Sequence, residues 1–332
     1  MVILSTSSKF TYREALKQGL RDALIGDERV FFMGEDVGHY GGSFAVSKGF
    51  LEEFGAQRIM DVPLSESGFV GAGIGASMGG LRPIVELMTV NFSLLALDQI
   101  ANNAATLNHM SGGQIHAPII IRMSCGIGRQ LAGQHSHSWE PIFAGIAGLR
   151  VISAGTHEDA RGMLLGALNC NDPVVLFEYT YLLNMESELP VEAGIVDISN
   201  AKIRKSGKDI SLITYGLGVY KCLAAAEILQ TFKIDVEVLD LRSLRPLDDL
   251  AIFETVRKTH RALVVEDAWK TLGIGSEVIS KIMENVFYEL DAPIARIAGV
   301  EVPIPYPKHL ETASVPQIED IVNAVKKLMH HD

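Results

Sequence analysis

A chain of 332 residues holds about two domains at roughly 150 residues each, and 48% apolar and 21% charged residues with 31 Gly and 12 Pro exclude a disordered or fibrous chain. The formal charge of −11 removes any general attraction to nucleic-acid or membrane phosphate, and no stretch approaches the roughly 18 apolar residues of a membrane span. Cys125, Cys170 and Cys222 are odd in number and far apart, which argues for small buried hydrophobes over a disulfide framework or zinc ribbon.

The segment Met1 to Lys9 is too short and polar for the apolar stretch of a signal peptide, so the expected compartment is where the chain is made, most simply a bacterial cytoplasm. Thr11 followed by Glu14 is a capping-box pattern, and Tyr12, Leu16, Leu20, Ala23 and Leu24 recur at helical spacing, predicting a helix over 12–25. Val30 to Met33 reads as a buried strand that delivers Glu35 and Asp36 to its C-terminal end, where open α/β sheets bind ligands. Alternation then continues with strands at 58–62, 84–88, 118–122, 150–153 and 174–178. Helices are expected at 66–79, 92–107 and, capped by Thr156 with Asp159, 157–169. That order predicts a parallel, doubly wound sheet.

Periodicity fades from Tyr179 to about Gly207, a stretch that includes Pro190, and a second series follows: strands at 210–215, 236–241 and 262–266 around helices at 220–229 and 250–258. The expected organisation is a first domain over 1–190, a linker over 191–207 and a smaller α/β domain over 208–332. The aperiodic segment Ser124 to Ser138, with His135 and His137 near its end, is long enough for a functional loop.

Three constellations suggest chemistry. Gly71, Gly73 and Gly75 superficially suit a dinucleotide turn, but they lie inside a predicted helix without a preceding strand. Close approach to a neighbouring backbone, even another subunit's, is the better account. Glu66, flanked by Leu64, Phe69 and Val70, is either a proton-sharing acid in an apolar pocket or a solvated helix-terminal acid favoured by the macrodipole. His135 and His137 suit proton transfer or anion binding, with metal ligation and a surface role left open. The pattern G-x-S-x-G falls at 75–79, inside a predicted helix and not at a strand-to-helix elbow, so a serine nucleophile gains no support.

Taken together, MGEDVGHYGG (33–42), RIMDVPLSESGFVGAGIGASMGGLRPIVELM (58–88), NFS (91–93), MSGG (110–113), QHS (134–136), EDARGML (158–164), PVVLFE (173–178), DLRSLRPLD (240–248) and AGVEVPIPY (298–306) carry a resemblance over nearly the whole chain. It resembles the beta subunit of the heterotetrameric thiamine-diphosphate-dependent 2-oxo acid dehydrogenases. The resemblance implies two doubly wound α/β domains, one binding the cofactor's pyrimidine ring and one like the transketolase C-terminal domain. It implies that Glu66 exchanges a proton with a pyrimidine nitrogen, that Phe92 stacks on that ring, and that Glu35 lies in a water-filled tunnel between active sites. His135 then stands at the site's mouth and serves reductive acylation of a lipoyl group. A potassium ion would fall among main-chain oxygens near Ile119, Ala167, Cys170 and Asp172.

The GDG motif that holds magnesium and diphosphate in this enzyme class is absent from the chain. The resemblance therefore implies half an active site, completed by an alpha subunit that supplies magnesium and diphosphate ligands. The expected partners are that alpha subunit, a dihydrolipoyl acyltransferase core and its lipoyl domain, with no nucleic acid and no membrane. Pyruvate is the expected substrate, with branched-chain 2-oxo acids and acetoin open. A noncatalytic assembly subunit and a lone dinucleotide-binding oxidoreductase are the readings of other classes. The compartment would be the cytoplasm of a bacterium, or a mitochondrial matrix or plastid for a mature organellar form.

Overall fold

The computed structural model describes residues 9–188 and 194–330; Pro190, in the expected connection, lies outside them. In chain order the first part carries β1 (Lys9–Thr11), α1 (Tyr12–Gly26), β2 (Val30–Gly34), α2 (Phe50–Phe54), β3 (Ile59–Asp61), α3 (Glu66–Met78), β4 (Arg82–Leu87), α4 (Ala105–Met110), β5 (Ile120–Cys125), α5 (Glu140–Ala144), β6 (Arg150–Ser153), α6 (His157–Ala167), β7 (Val174–Tyr179) and β8 (Glu186–Glu188). The second carries β9 (Lys202–Lys205), β10 (Ile210–Thr214), α7 (Leu217–Gln230), β11 (Val236–Asp240), β12 (Ser243–Arg245), α8 (Asp249–Thr259), β13 (Ala262–Trp269), α9 (Ile274–Asn285), β14 (Ala295–Gly299), α10 (Lys308–Ala313) and α11 (Ile318–Leu328).

The helix predicted from Thr11 forms with both halves of its capping box. The Glu14 amide donates to Thr11 Oγ1 at 3.2 Å and the Thr11 amide to Glu14 Oε2 at 2.7 Å. Its buried face, Tyr12, Leu16, Leu20 and Leu24 among others, packs the helix beside α6. Thr156 likewise caps α6 by accepting from the Asp159 amide.

The first sheet has the order β12-β6-β7-β5-β4-β2-β3, with every pairing parallel except that of β12 on β6. Strands buried on both faces explain why these segments read as continuous apolar runs. From β2 the chain crosses to β3 on one side and then to β4 on the other, which makes the C-terminal ends of β2 and β4 the switch point of the sheet. The second sheet, β14-β13-β10-β11-β9, is parallel apart from the edge strand β9.

Two expectations change. The stretch 92–107 is not one α-helix: Val90–Ala96 is a 3₁₀ turn, Gln99–Ala104 has π spacing, and α-geometry begins at Ala105. Departures of this kind re-aim side chains beside functional sites. The expected linker 191–207 carries β9, whose Lys-Ile-Arg-Lys sequence has the charge of a protected sheet edge and no apolar run to reveal it.

One apolar core runs from the first sheet into the face of the second sheet lined by Ile213, Leu239 and Val264. A smaller core under α7 and α11 fills the opposite face. Ions also join the two parts: fully buried Asp159 of α6 pairs with Arg204 of β9 and, at 2.6 Å, with Arg242 after β11.

Candidate active site

The switch point collects acids. Gly34 ends β2 so close to β4 that a Cβ there would stand 2.9 Å from the Glu86 carbonyl oxygen, and the next residue, Glu35, is buried over the crevice. Both Glu35 carboxylate oxygens lack a hydrogen-bond partner. Burial, then the negative charges of Glu66, Asp36 and Glu86, push its pKa up to about 7. Glu66 opens α3 and is 6% exposed, which counts against the solvated helix-terminal reading. Its carboxylate makes no hydrogen bond or ion pair among the described residues.

A carboxyl whose pKa is raised by folding holds its proton more tightly in the folded chain, so its contribution to stability falls as pH rises from the ordinary carboxylate range towards about 7. Glu35→Gln is expected to remove that loss. Urea midpoints of variant and wild type should coincide below about pH 4 and separate in the variant's favour above neutrality. Equal midpoints at alkaline pH would contradict the raised pKa of Glu35.

Beneath the crevice lies a buried triad that motif reading missed. Arg122 of β5 donates from Nε to Glu178 Oε1 of β7 at 2.8 Å, and its terminal nitrogens bond Glu178 and Glu86 of β4. Burial pushes the Glu86 carboxyl up against the pull of Arg122. The register puts Glu86 directly opposite Arg122, so lone charges inside apolar strands were the available signal.

The loop expected over 124–138 is real beyond Cys125, and it packs on the turn that follows β4. His135 meets Phe92 edge-on with centroids 5.3 Å apart, and its Nδ1 is buried without a partner. The Thr89 hydroxyl donates to the His135 carbonyl at 3.2 Å. Asn91 Nδ2 donates to the Gly133 carbonyl at 2.9 Å and faces His137 Nδ1 at 2.8 Å. Because that amide nitrogen must donate to both, His137 Nδ1 accepts and the proton sits on Nε2. Burial lowers the His137 pKa and keeps the ring neutral. The ring stacks on Trp139 at 5.2 Å and leans on Trp269 of β13 at 5.0 Å. Among the described residues no group of three or more His, Cys, Asp or Glu is arranged for a metal, so the metal reading of the histidine pair gains no support.

Below the loop, Glu140 is 1% exposed, accepts from the Tyr179 hydroxyl at 2.9 Å, and is pushed up to about 7 by burial. Cys125 and Cys222 are buried as expected and Cys170 is half-buried. The glycine-rich helix faces two ways. A Cβ on Gly73 would meet Val85 and Ile119 at 2.8 and 3.0 Å, whereas one on Gly75 would meet nothing within 4 Å.

The oxygens expected to surround potassium lie away from the crevice. The Ile119 carbonyl accepts from the Val174 amide at 2.9 Å, that of Ala167 from the Cys170 amide at 3.1 Å, and that of Cys170 from Arg82 Nη1 at 2.7 Å. The Asp172 carboxylate pairs with Arg150 Nε at 3.1 Å.

Comparison with known proteins then decides the family. Residues 8–185 match the family described as "Transketolase, pyrimidine binding domain", and residues 199–321 match "Transketolase, C-terminal domain". "Pyruvate dehydrogenase E1 component subunit beta-1, mitochondrial" of Oryza sativa subsp. japonica is 44% identical over 97% of this chain and 87% of its own length. The chain belongs to the pyruvate dehydrogenase E1 beta-subunit family. The Rickettsia conorii "Pyruvate dehydrogenase E1 component subunit beta" is 39% identical over 97% of this chain and 99% of its own. A solved "Split gene transketolase, inactive beta4 tetramer" superposes with a TM-score of 0.79 at 19% identity, covering 97% of this chain and 98% of that one, and shares the fold.

Membership in the E1 beta family gives the crevice a test by its unpaired groups. The two bare oxygens of Glu35 beside Glu66, and the bare Nδ1 of His135 against the Phe92 ring, are of the kind that suits a polar heteroaromatic ligand such as the thiamine aminopyrimidine. Asn91, Thr89 and Trp269 went unrecognised as site residues because their partners on the loop lie far away in sequence.

Proposed function

We propose that the chain is the beta subunit of a pyruvate dehydrogenase E1 component. With an alpha subunit in a heterotetramer it carries out the thiamine-diphosphate-dependent oxidative decarboxylation of pyruvate and the acylation of a lipoyl group on an acyltransferase core. The observation that carries this reading is Glu66, a buried acid without a partner at the first turn of α3, next to the bare carboxylate of Glu35 at the switch point.

Thiamine diphosphate, when bound, supplies the electron sink that lets a 2-oxo acid lose carbon dioxide. Glu66 holds and moves the proton at a nitrogen of the aminopyrimidine ring, a task that falls to an acid placed at the first turn of α3. Phe92 offers a flat apolar face to that ring. Glu35, with its pKa raised to about 7, keeps a proton available beside Glu66 without a full second charge. His135, at the mouth, delivers a proton to the dithiolane sulfur that leaves as the lipoyl ring opens.

Magnesium and diphosphate ligands come from the alpha subunit, as the missing GDG motif suggests. Ile119, Ala167 and Cys170 each keep one carbonyl lone pair free for a potassium ion, and Asp172 adds its main-chain oxygen. We assign residues 1–190 to pyrimidine binding and 208–332 to the transketolase C-terminal-like domain. The relatives are bacterial and organellar, and we place the chain in a bacterial cytoplasm or, as a mature organellar form, in a mitochondrial matrix or plastid.

The outward face of α3 supports contact with another chain: Gly68, Ala72, Gly75 and Gly79 are exposed, and so are Leu94 and Leu95 in the turn packed against it. Gly75→Leu should leave the chain folded, since its Cβ meets nothing within 4 Å, yet hinder tetramer formation by overfilling a close contact. Sedimentation showing an intact heterotetramer would remove this assignment. The function itself is tested by co-purifying the chain with its alpha subunit and supplying thiamine diphosphate, magnesium and a 2-oxo acid. Pyruvate turnover is expected, whereas a well-assembled tetramer that uses only branched-chain 2-oxo acids or acetoin, or none of these, would overturn it.

A further inference from the structure

The loop that carries His135 is exposed at Arg129, Gln130, Leu131 and Gln134, so little of its own burial holds it in place. Gln130 and Ala132 nevertheless adopt left-handed φ values of 53° and 61°, which non-glycine residues keep only where surrounding groups demand it. One such group comes from the second domain. The Gln130 amide donates to Glu311 Oε1 at 3.0 Å, and Glu311, on the short helix α10, is 3% exposed. Three residues on, a Cβ on Gly133 would lie 3.5 Å from Pro303. Beyond His135, Trp269 leans on His137 while its indole nitrogen donates to the Val302 carbonyl at 2.9 Å. His135 thus sits between two contacts with the second domain, while Thr89 and Asn91 of the first domain hold the loop's main chain at His135 and Gly133.

An acid is a costly choice for a buried interdomain contact, because an apolar side chain would join the two surfaces without desolvating a charge. What an acid adds is one fixed acceptor for one backbone N–H, and that specifies loop conformation. We infer that Glu311 is a positioning residue for acyl transfer: the second domain, through Glu311 on one side and Trp269 on the other, sets where His135 stands at the mouth of the site. This rests on the role given to His135 above.

The test uses the assembled heterotetramer and two partial reactions of one preparation: pyruvate decarboxylation coupled to an artificial dye oxidant, and acylation of a free lipoyl domain. Glu311→Ala is expected to slow lipoyl acylation about tenfold or more while the dye-coupled rate stays within about twofold, as a misplaced reacting group predicts. Glu311→Gln, which keeps an acceptor oxygen, should restore most of the acylation rate. Equal losses in both reactions, or no loss in either, would overturn the inference. Should Glu311→Ala fail to assemble by sedimentation, Glu311→Asp, which keeps the acid but draws its oxygens back by one carbon, is subject to the same comparison, with the same outcomes deciding. A wild-type tetramer that decarboxylates pyruvate with the dye but acylates no lipoyl domain overturns the reading of His135 itself, a result distinct from a selective effect at Glu311.

Discussion

Glu66→Gln in the assembled heterotetramer is expected to lower the turnover of pyruvate about a thousandfold, within the range that positioned proton transfer contributes. Glutamine matches the shape of the acid and can still hydrogen-bond a ring nitrogen, but it has no proton to exchange there. Folding should scarcely notice the change. Residue Glu66 is 6% exposed and its carboxylate has no partner among the described residues, so nothing is stranded when it becomes neutral, and the lost attraction to the N-terminus of α3 is worth only about 0.3–1 kcal/mol. Removing its charge also relieves Glu35, whose pKa should move down from about 7 towards the ordinary range. Steady-state turnover with matched sedimentation and thermal midpoints checks all three statements. An active, assembled variant would show that another group moves the proton.

Arg122→Met is expected to produce the largest loss of stability of any single change considered. Arg122 is 2% exposed and satisfies two buried carboxylates, Glu86 and Glu178, on the strands either side of it. Methionine fills much of the volume but leaves both acids in the middle of the sheet without a counter-charge, and breaking a buried pair from one side costs about 3–5 kcal/mol. Protonation can relieve part of that cost, so the loss should be greater at pH 8 than at pH 5. Denaturant unfolding at the two values gives the measurement; a loss below about 1 kcal/mol at both would mean that water or a shifted side chain replaces the guanidinium. Arg122→Met combined with Glu86→Gln and Glu178→Gln should recover much of the stability, because the charges rather than the packing make the single change severe.

Much of the first sheet could be read before any coordinates, and the reason is burial on both faces. A strand such as Val30–Gly34 or Val174–Tyr179 has no solvent side to dilute its apolar run, and the capped helices between such strands carry their own punctuation. The elements that escaped are those whose existence depends on a distant partner. Ser243–Arg245 has three residues and a following proline, and it is a strand only because β6 offers an edge. Val90–Ala104 has helical composition, and nothing local says that its hydrogen bonds first tighten and then widen. The site divides in the same way. Loop length and composition drew attention to His135, and position after a strand to Glu35, but spacing alone favoured the solvated reading of Glu66, against which its burial stands. Contacts such as Gln130 with Glu311, or His137 with Trp269, join residues from different domains and have no local signature.

The antiparallel strand Ser243–Arg245 has a consequence for the order of events during synthesis. Its partner β6 ends at Ser153, so a nascent chain that has already delivered every parallel strand of the first sheet still presents β6 as an open edge. That edge is covered only after the opening third of the second domain has left the ribosome, 64 residues beyond the end of β7 at Tyr179, at about 5–20 residues per second. During those seconds the growing chain carries an unprotected row of amides and carbonyls, the template on which chains pair wrongly. The sheet that builds the crevice is therefore closed by residues translated last among its strands, and a ribosome stall before Ser243 would be more harmful than one after Arg245.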